Sequence, residues 1–150
     1  MTPFVTAGGA FLLTILYADL MFDVQVARHR EPAAPETVLA SIADYYRRVT
    51  ITARPLNRLV VVVMALTLAA IVAQLAGDDV PDWVALASLV LAGGPVALAG
   101  ARIFPEAVRL GGRSDPPEVQ TRLARSIYAG HLICLAGIVS LLVVQLAFAR

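Results

Sequence analysis

Residues 127–149 read IYAGHLICLAGIVSLLVVQLAFA, an unbroken run without Asp, Glu, Lys or Arg and with one histidine, His131. A helix rising about 1.5 Å per residue needs about 20 apolar residues to cross a hydrocarbon core about 30 Å thick. The run meets that length and is read as a membrane span. It is rich in Leu and Ala and lacks the apolar–polar alternation of a membrane-barrel strand. Working outward, residues 83–104, 59–76 and 4–26 form three more spans of the same kind. The shortest, 59–76, is lengthened by residues 55–58. Pro55 suits a first helical turn, where its missing N–H would be unpaired anyway.

Composition agrees. Of the 150 residues, 59% are hydrophobic and 15% are charged, whereas soluble domains carry about 45–50% and about 25%. So few charges cannot cover a soluble globule of this size. Hydrophobicity excludes a disordered chain, the absence of a glycine repeat excludes collagen, and the single Cys134, inside the fourth span, excludes a disulfide framework. The expected fold is an all-α integral membrane four-helix bundle, one four-span domain over residues 1–150.

The charges sort by loop. Arg28, Arg30, Arg47, Arg48, Arg54 and Arg58 lie between spans one and two, and Arg109, Arg113, Arg122 and Arg125 between spans three and four. The short connection between spans two and three carries Asp78, Asp79 and Asp82 and no base. Basic loops stay on the cytoplasmic side, so both termini are expected outside the cytoplasm and both long loops inside. The formal net charge of +1 hides this asymmetry. The basic loops suit anionic lipid headgroups, and no aromatic–basic module accompanies them that would suggest nucleic acid. All twelve bases are Arg, which together with the Ala-rich composition points to a GC-rich bacterial coding sequence and the bacterial inner membrane. The first span has no base ahead of it and no small-residue cleavage pattern behind it, so it is read as a retained span, not a signal peptide.

The loop between spans one and two holds an amphipathic arm, about residues 36–53. Val38, Leu39, Ile42, Tyr45, Tyr46 and Val49 recur at three- and four-residue spacing, with Ser41, Asp44, Arg47 and Arg48 on the other side. The arm is expected to fold back under the bundle, with Ser41, Asp44 and Arg48 toward water and Tyr45 and Tyr46 as interfacial anchors. The β-branched run 49–52 and the Arg54–Pro55 step predict a bend before span two. Gly93, Ala97 and Ala101 on span three, and Gly130, Cys134 and Gly137 on span four, form narrow faces on which helices can approach closely. Pro95 should kink span three. Gln145 and Ser140 are read as interhelical hydrogen-bonding residues.

Asp19 and Asp23 stand four residues apart, on one face of span one near its cytoplasmic end. A carboxylate at that depth costs several kcal/mol unless it is paired, protonated or hydrated. The candidate partners are Arg58, Arg102 and His131, so Asp19, Asp23, Arg58, Arg102 and His131 are expected to form one polar cluster. The cluster is either a lock on the bundle or a pocket in which His131 exchanges protons near neutral pH. A metal site of Asp19, Asp23 and His131 is possible in ligand type, but spacing across separate helices is invisible in sequence, so no metal is assigned. No second membrane histidine exists for a bis-imidazole haem. The absence of Cys-x-x-Cys, a phosphate-binding glycine loop and a nucleophile elbow removes thiol redox chemistry, nucleotide hydrolysis and ordinary serine hydrolysis. No cofactor is expected.

The layout resembles the small four-helix membrane proteins of the anthrone oxygenase-like group. The resemblance rests on a polar-ended first span, the long arm ending at Pro55, the segment Ile103-Phe104-Pro105-Glu106-Ala107-Val108-Arg109-Leu110, and the basic helix Arg122-Leu123-Ala124-Arg125-Ser126-Ile127-Tyr128-Ala129-Gly130-His131. It implies a lipophilic substrate entering from the bilayer, oxidised with dioxygen without an evident metal, with His131 or Asp19 as the proton-accepting catalytic residue. The residues by themselves point to a non-enzymatic accessory or assembly subunit, partnered by the lipid bilayer and by another membrane protein or a second copy of the chain. The oxygenase and a proton or small-solute carrier are the alternatives.

Overall fold

The computed structural model describes residues 1–77 and 80–149, and for residues 54–56 the backbone alone; Asp78 and Asp79 of the acidic connection lie outside the described residues. The chain is all-α: α1 (Thr2–Ala27), α2 (Glu36–Arg47), α3 (Arg54–Leu75), α4 (Asp82–Leu98), α5 (Phe104–Gly112) and α6 (Pro117–Phe148). Short π-helical segments, Arg48–Thr52 and Ala99–Ile103, join α2 to α3 and α4 to α5. Four helical stretches are long and apolar enough to cross a membrane: Thr2–Ala27, Asn57–Leu75, Asp82–Gly112 and Pro117–Phe148. They form a membrane-spanning bundle in which α6 packs on α1 and α4, and α3 closes the ring against α1 and α4. Phe4, Leu66, Val90, Ile133 and Leu146 are among the large apolar side chains left on the outside, as a hydrocarbon solvent allows.

Two elements run further than apolarity predicts. The third crossing continues through Pro105, which falls in the first turn of α5, where a missing N–H is cheap. The fourth begins at Pro117, and its first turns bury Gln120, Thr121, Leu123 and Ala124. This extension ties down the α1–α2 connection. The Ala34 N–H donates to Thr121 Oγ1 at 2.9 Å, and Arg125 Nη2 donates to the carbonyls of His29 and Glu31 at 2.8 and 2.6 Å.

The amphipathic arm is α2 and its π segment, folded back under the bundle against α5 and the end of α1. Its buried stripe is Leu39, Ile42, Ala43 and Tyr46. Gly111 permits the docking, because a Cβ there would stand 2.9 Å from the backbone nitrogen of Arg47. Ser41 does not face water as expected: Gln25 Nε2 donates to its hydroxyl at 3.2 Å. Asp44 pairs with Arg47 at 3.0 Å on the exposed side. The bend before span two comes at Ala53 (φ −86°, ψ 47°), between the π segment and α3.

The small-residue faces divide. A Cβ on Gly130 would meet Ile103 at 3.0 Å, and one on Gly137 would stand 2.9 Å from the Leu91 carbonyl and 2.6 Å from Pro95. Pro95 cannot donate to that carbonyl, so α4 turns the freed oxygen toward the glycine of α6. The Gly93, Ala97 and Ala101 stripe is not a packing seam. Gly93 has open space where a Cβ would be, and Ala97 and Ala101 are exposed, because α4 meets α6 through its Leu91–Pro95 side instead.

Candidate functional site

At the arm end of the bundle, three elements bring five polar side chains together. Asp19 and Asp23 stand one turn apart on α1, His131 projects from α6, and Tyr45 and Tyr46 rise from α2. Asp23, with no exposed surface, has both oxygens engaged. Tyr46 donates its hydroxyl hydrogen to Oδ1 at 2.6 Å, and Oδ2 lies 2.6 Å from His131 Nδ1. Tyr45 donates to Asp19 Oδ1, also at 2.6 Å. The remaining oxygen, Asp19 Oδ2, faces His131 Nε2 at 3.7 Å, too far for a direct hydrogen bond. An ionised Asp23 can only accept, so the network places a hydrogen on His131 Nδ1, and Nε2 is the ring nitrogen turned toward Asp19.

Local structure explains why these groups meet. Residues four apart on a helix stack on one face, which aims both carboxylates the same way. Adjacent tyrosines diverge by about 100° on a helix, so two successive rings reach two carboxylates a turn apart. The Tyr45 ring stacks on Phe22 (centroids 4.1 Å apart, 10° between planes) and meets Tyr46 edge-on at 5.3 Å. Burial, reinforced by the neighbouring carboxylates, pushes both phenols well above their ordinary range. Tyr45 and Tyr46 therefore remain protonated donors at physiological pH. Their expected role as interfacial anchors is corrected: the hydroxyls point inward, onto Asp19 and Asp23.

Arg58 and Arg102 do not join the cluster. Arg102 Nε donates to Glu106 one turn along its own helix at 3.4 Å and to Ser126 Oγ at 3.0 Å, on the outer side of the α5–α6 contact. Ser126 in turn donates to the second Glu106 oxygen. Arg58 is exposed and lies outside the cavity wall. An exposed guanidinium keeps its water, whereas drawing it into the bundle would add a second desolvation cost. Phenol and imidazole groups partner three of the four carboxylate oxygens without it. Sequence reading missed the tyrosine donors. The available signal was Tyr46 continuing the Leu39–Ile42–Ala43 stripe, which places it on the face that packs inward.

Asp19, His131, Tyr45 and Tyr46 form one end of a cavity of about 260 Å³ that extends between the four spans. Its other wall residues include Leu12, Leu16, Val60, Met64 and Ile138, and Cys134 and Pro95 flank it from α6 and α4. His131 lines the cavity, whereas its partner Asp23 lies behind it. The accessible face of the imidazole is thus its Nε2 side, beside Asp19. Among the described residues, no group of three or more His, Cys, Asp or Glu side chains is arranged to hold a metal ion.

A second polar cluster closes the other end of the bundle. Gln74 and Gln145, each 1% exposed, exchange reciprocal amide hydrogen bonds of 3.0 Å. Gln145 Nε2 also donates to Ser88 Oγ at 2.8 Å, and Gln74 Nε2 to Thr2 Oγ1 at 3.2 Å. Gln145 thus joins helices as expected, while Ser140 is exposed. Trp83 packs edge-on against Phe148 at this end, centroids 5.1 Å apart. Compared with protein-family models, with curated proteins and with solved structures, the chain matches none, and what stands is the fold class, a four-helix, all-α, membrane-spanning bundle.

Proposed function

We propose that this membrane protein binds a lipophilic small molecule in the cavity between its spans, with Asp19 and His131 holding the polar end of the ligand and exchanging a proton with it. One observation carries the reading: an apolar cavity terminates on a carboxylate oxygen and an imidazole nitrogen that face each other across 3.7 Å. A polar ligand atom between them lies within hydrogen-bond reach of both. Pockets for small molecules are built this way, as mostly apolar clefts with a few convergent polar groups. Half-buried Val60, Met64, Val96 and Phe104 line the cavity on its α3 and α4–α5 sides, which suits entry from the bilayer.

The Nε2 edge of His131, turned to the cavity, favours one chemical use of the pocket. His131 can take a proton from a bound acidic substrate, the step that the likeness to anthrone oxygenase-like proteins calls for. A purely accessory or assembly role rests on architecture and has no contact of its own in its favour. We further assign the chain to the bacterial inner membrane, with the basic loops in the cytoplasm. Labelling of Arg30→Cys and Arg113→Cys in sealed cells tests that orientation, and reaction of either with an impermeant external reagent overturns it.

The pocket is tested by extraction. Protein purified in mild detergent is denatured in organic solvent and the extract analysed by mass spectrometry. The wild type should release a stoichiometric lipophilic compound, and Ala99→Phe, which fills the cavity, should release none. Equal extracts from the two proteins defeat the reading.

A further inference from the structure

We infer that the ligand of this cavity is a lipophilic amine, bound as its ammonium ion between Asp19 Oδ2 and His131 Nε2; the inference rests on the ligand-binding reading and adds the chemical class. The argument begins with donors and acceptors. Tyr45 and Tyr46 have spent their hydroxyl hydrogens on Asp19 Oδ1 and Asp23 Oδ1, and the hydrogen on His131 Nδ1 serves Asp23 Oδ2. What remains on the cavity side is a carboxylate oxygen and the Nε2 edge of the imidazole, 3.7 Å apart with no hydrogen bond between them. A ketone or ether oxygen, which only accepts, leaves the ionised Asp19 oxygen without a partner. A group with several N–H donors satisfies the Asp19 oxygen and can serve a second acceptor beside it.

Charge narrows the class further. The titratable groups facing this point are Asp19 and Asp23 from α1, Tyr45 and Tyr46 from α2, and His131 and Cys134 from α6. Among the described residues the α3, α4 and α5 walls supply none. The chain contains no Lys, and among the described residues no Arg lines the cavity, Arg102 being held outside by Glu106 and Ser126. Two carboxylates therefore share one imidazole at the end of an apolar chamber. Even with the imidazole charged, two carboxylates leave the site short of one positive charge. In the absence of ligand, protons make up that lack. An ammonium displaces them and leaves its hydrocarbon portion among Leu12, Ile15, Val60, Met64 and Ile138, in a volume of about 260 Å³. An anionic ligand meets like charge and is excluded.

Three probes of one shape separate the possibilities: 4-phenylbutylamine, 4-phenyl-1-butanol and 4-phenylbutyrate, titrated calorimetrically at neutral pH into protein in zwitterionic nanodiscs, with empty nanodiscs subtracted. The amine should bind at least about tenfold more tightly than the alcohol, since its hydrogen bonds are charge-assisted, and the butyrate should not bind. Asp19→Asn should bring amine and alcohol within about twofold, and Ala99→Phe should abolish binding of both. Should Asp19→Asn fail to fold, the wild-type titration repeated in buffers of different ionisation enthalpy still decides, because amine binding must release protons and alcohol binding must not. Equal affinity for amine and alcohol, an amine preference that survives in Asp19→Asn or Ala99→Phe, or amine binding without proton release overturns the inference while leaving a neutral-ligand pocket in place. Failure of all three probes to bind overturns the inference and counts against the pocket itself.

Discussion

The two ends of the bundle each bury a cluster of polar side chains, and they do so in opposite ways. At the end holding the termini, Gln74, Gln145, Ser88 and Thr2 are neutral and use one another as partners. That cluster is complete, and its effect is to register α1, α3, α4 and α6 in an environment where lipid supplies no hydrophobic drive between helices. At the arm end, Asp19, Asp23 and His131 are ionisable, draw on two tyrosines from outside the four spans, and still leave Asp19 Oδ2 and His131 Nε2 without a hydrogen bond. The cavity opens onto that cluster and not onto the glutamine pair. Burial of polar groups alone does not mark a site; the difference lies in whether the cluster satisfies itself.

The largest effect that tests this contrast is expected at Asp23. Replacing it by Ala strips the partners from the Tyr46 hydroxyl and from His131 Nδ1 in a fully buried position. The expected loss is about 3–5 kcal/mol, the range for breaking a buried charged pair from one side. Denaturant titration in detergent micelles measures it. A loss under about 1 kcal/mol, within reach of an ordinary surface contact, would mean that the arm-end cluster bears no more on stability than the surface does.

Removing single hydroxyls comes next. Tyr46→Phe should lose about 1.5–3 kcal/mol, the range for a hydrogen bond to a charged acceptor, and Tyr45→Phe should lose less because Tyr45 is only half-buried. If both variants unfold as the wild type does, the carboxylates are satisfied from elsewhere. At the opposite end, Gln145→Leu should cost about 0.6–2 kcal/mol through the orphaned Gln74 amide. The double variant Gln145→Leu with Gln74→Leu should recover most of that loss, as expected when both partners of a neutral pair are removed. A double variant worse than either single one would show that the amides make contributions beyond each other.

The smallest effect belongs to the exposed ion pair of Arg109 and Asp115, whose two hydrogen bonds measure 2.8 and 2.7 Å. Those hydrogen bonds from Arg109 hold the Asp115 carboxyl below its ordinary value. A depressed folded-state value means that the pair's contribution is present above the unfolded-state pKa of about 4 and disappears as pH falls through the folded-state value. Asp115→Asn should therefore leave unfolding unchanged in strong acid and reach its full difference from the wild type only above about pH 4. A difference that grows below that pH would reverse the assigned direction.

Much of this was legible in the chain. Four apolar runs of spanning length, an amphipathic segment between the first two, a helix-breaking step before span two, and Asp19 and Asp23 on one helix face all follow from local periodicity and local length. Those properties are set by 1.5 Å of rise and 3.6 residues per turn, about the same in every helix. The choice of partners was not local. Arg58 and Arg102 have the right charge and depth for the carboxylates, yet rotation of α4–α5 turns Arg102 toward Glu106 and Ser126, while docking of α2 through Gly111 presents Tyr45 and Tyr46 instead. The Gly93–Ala97–Ala101 stripe reads like a seam, but α4 meets α6 on the side where Pro95 frees a carbonyl. Sequence by itself determined which elements exist and which of their residues share a face. Only the tertiary structure decided which faces meet, because helix rotation and register are fixed by packing among all four spans and the arm together, and from that came the satisfied lock at one end and the Asp19–His131 pair without a direct hydrogen bond at the other.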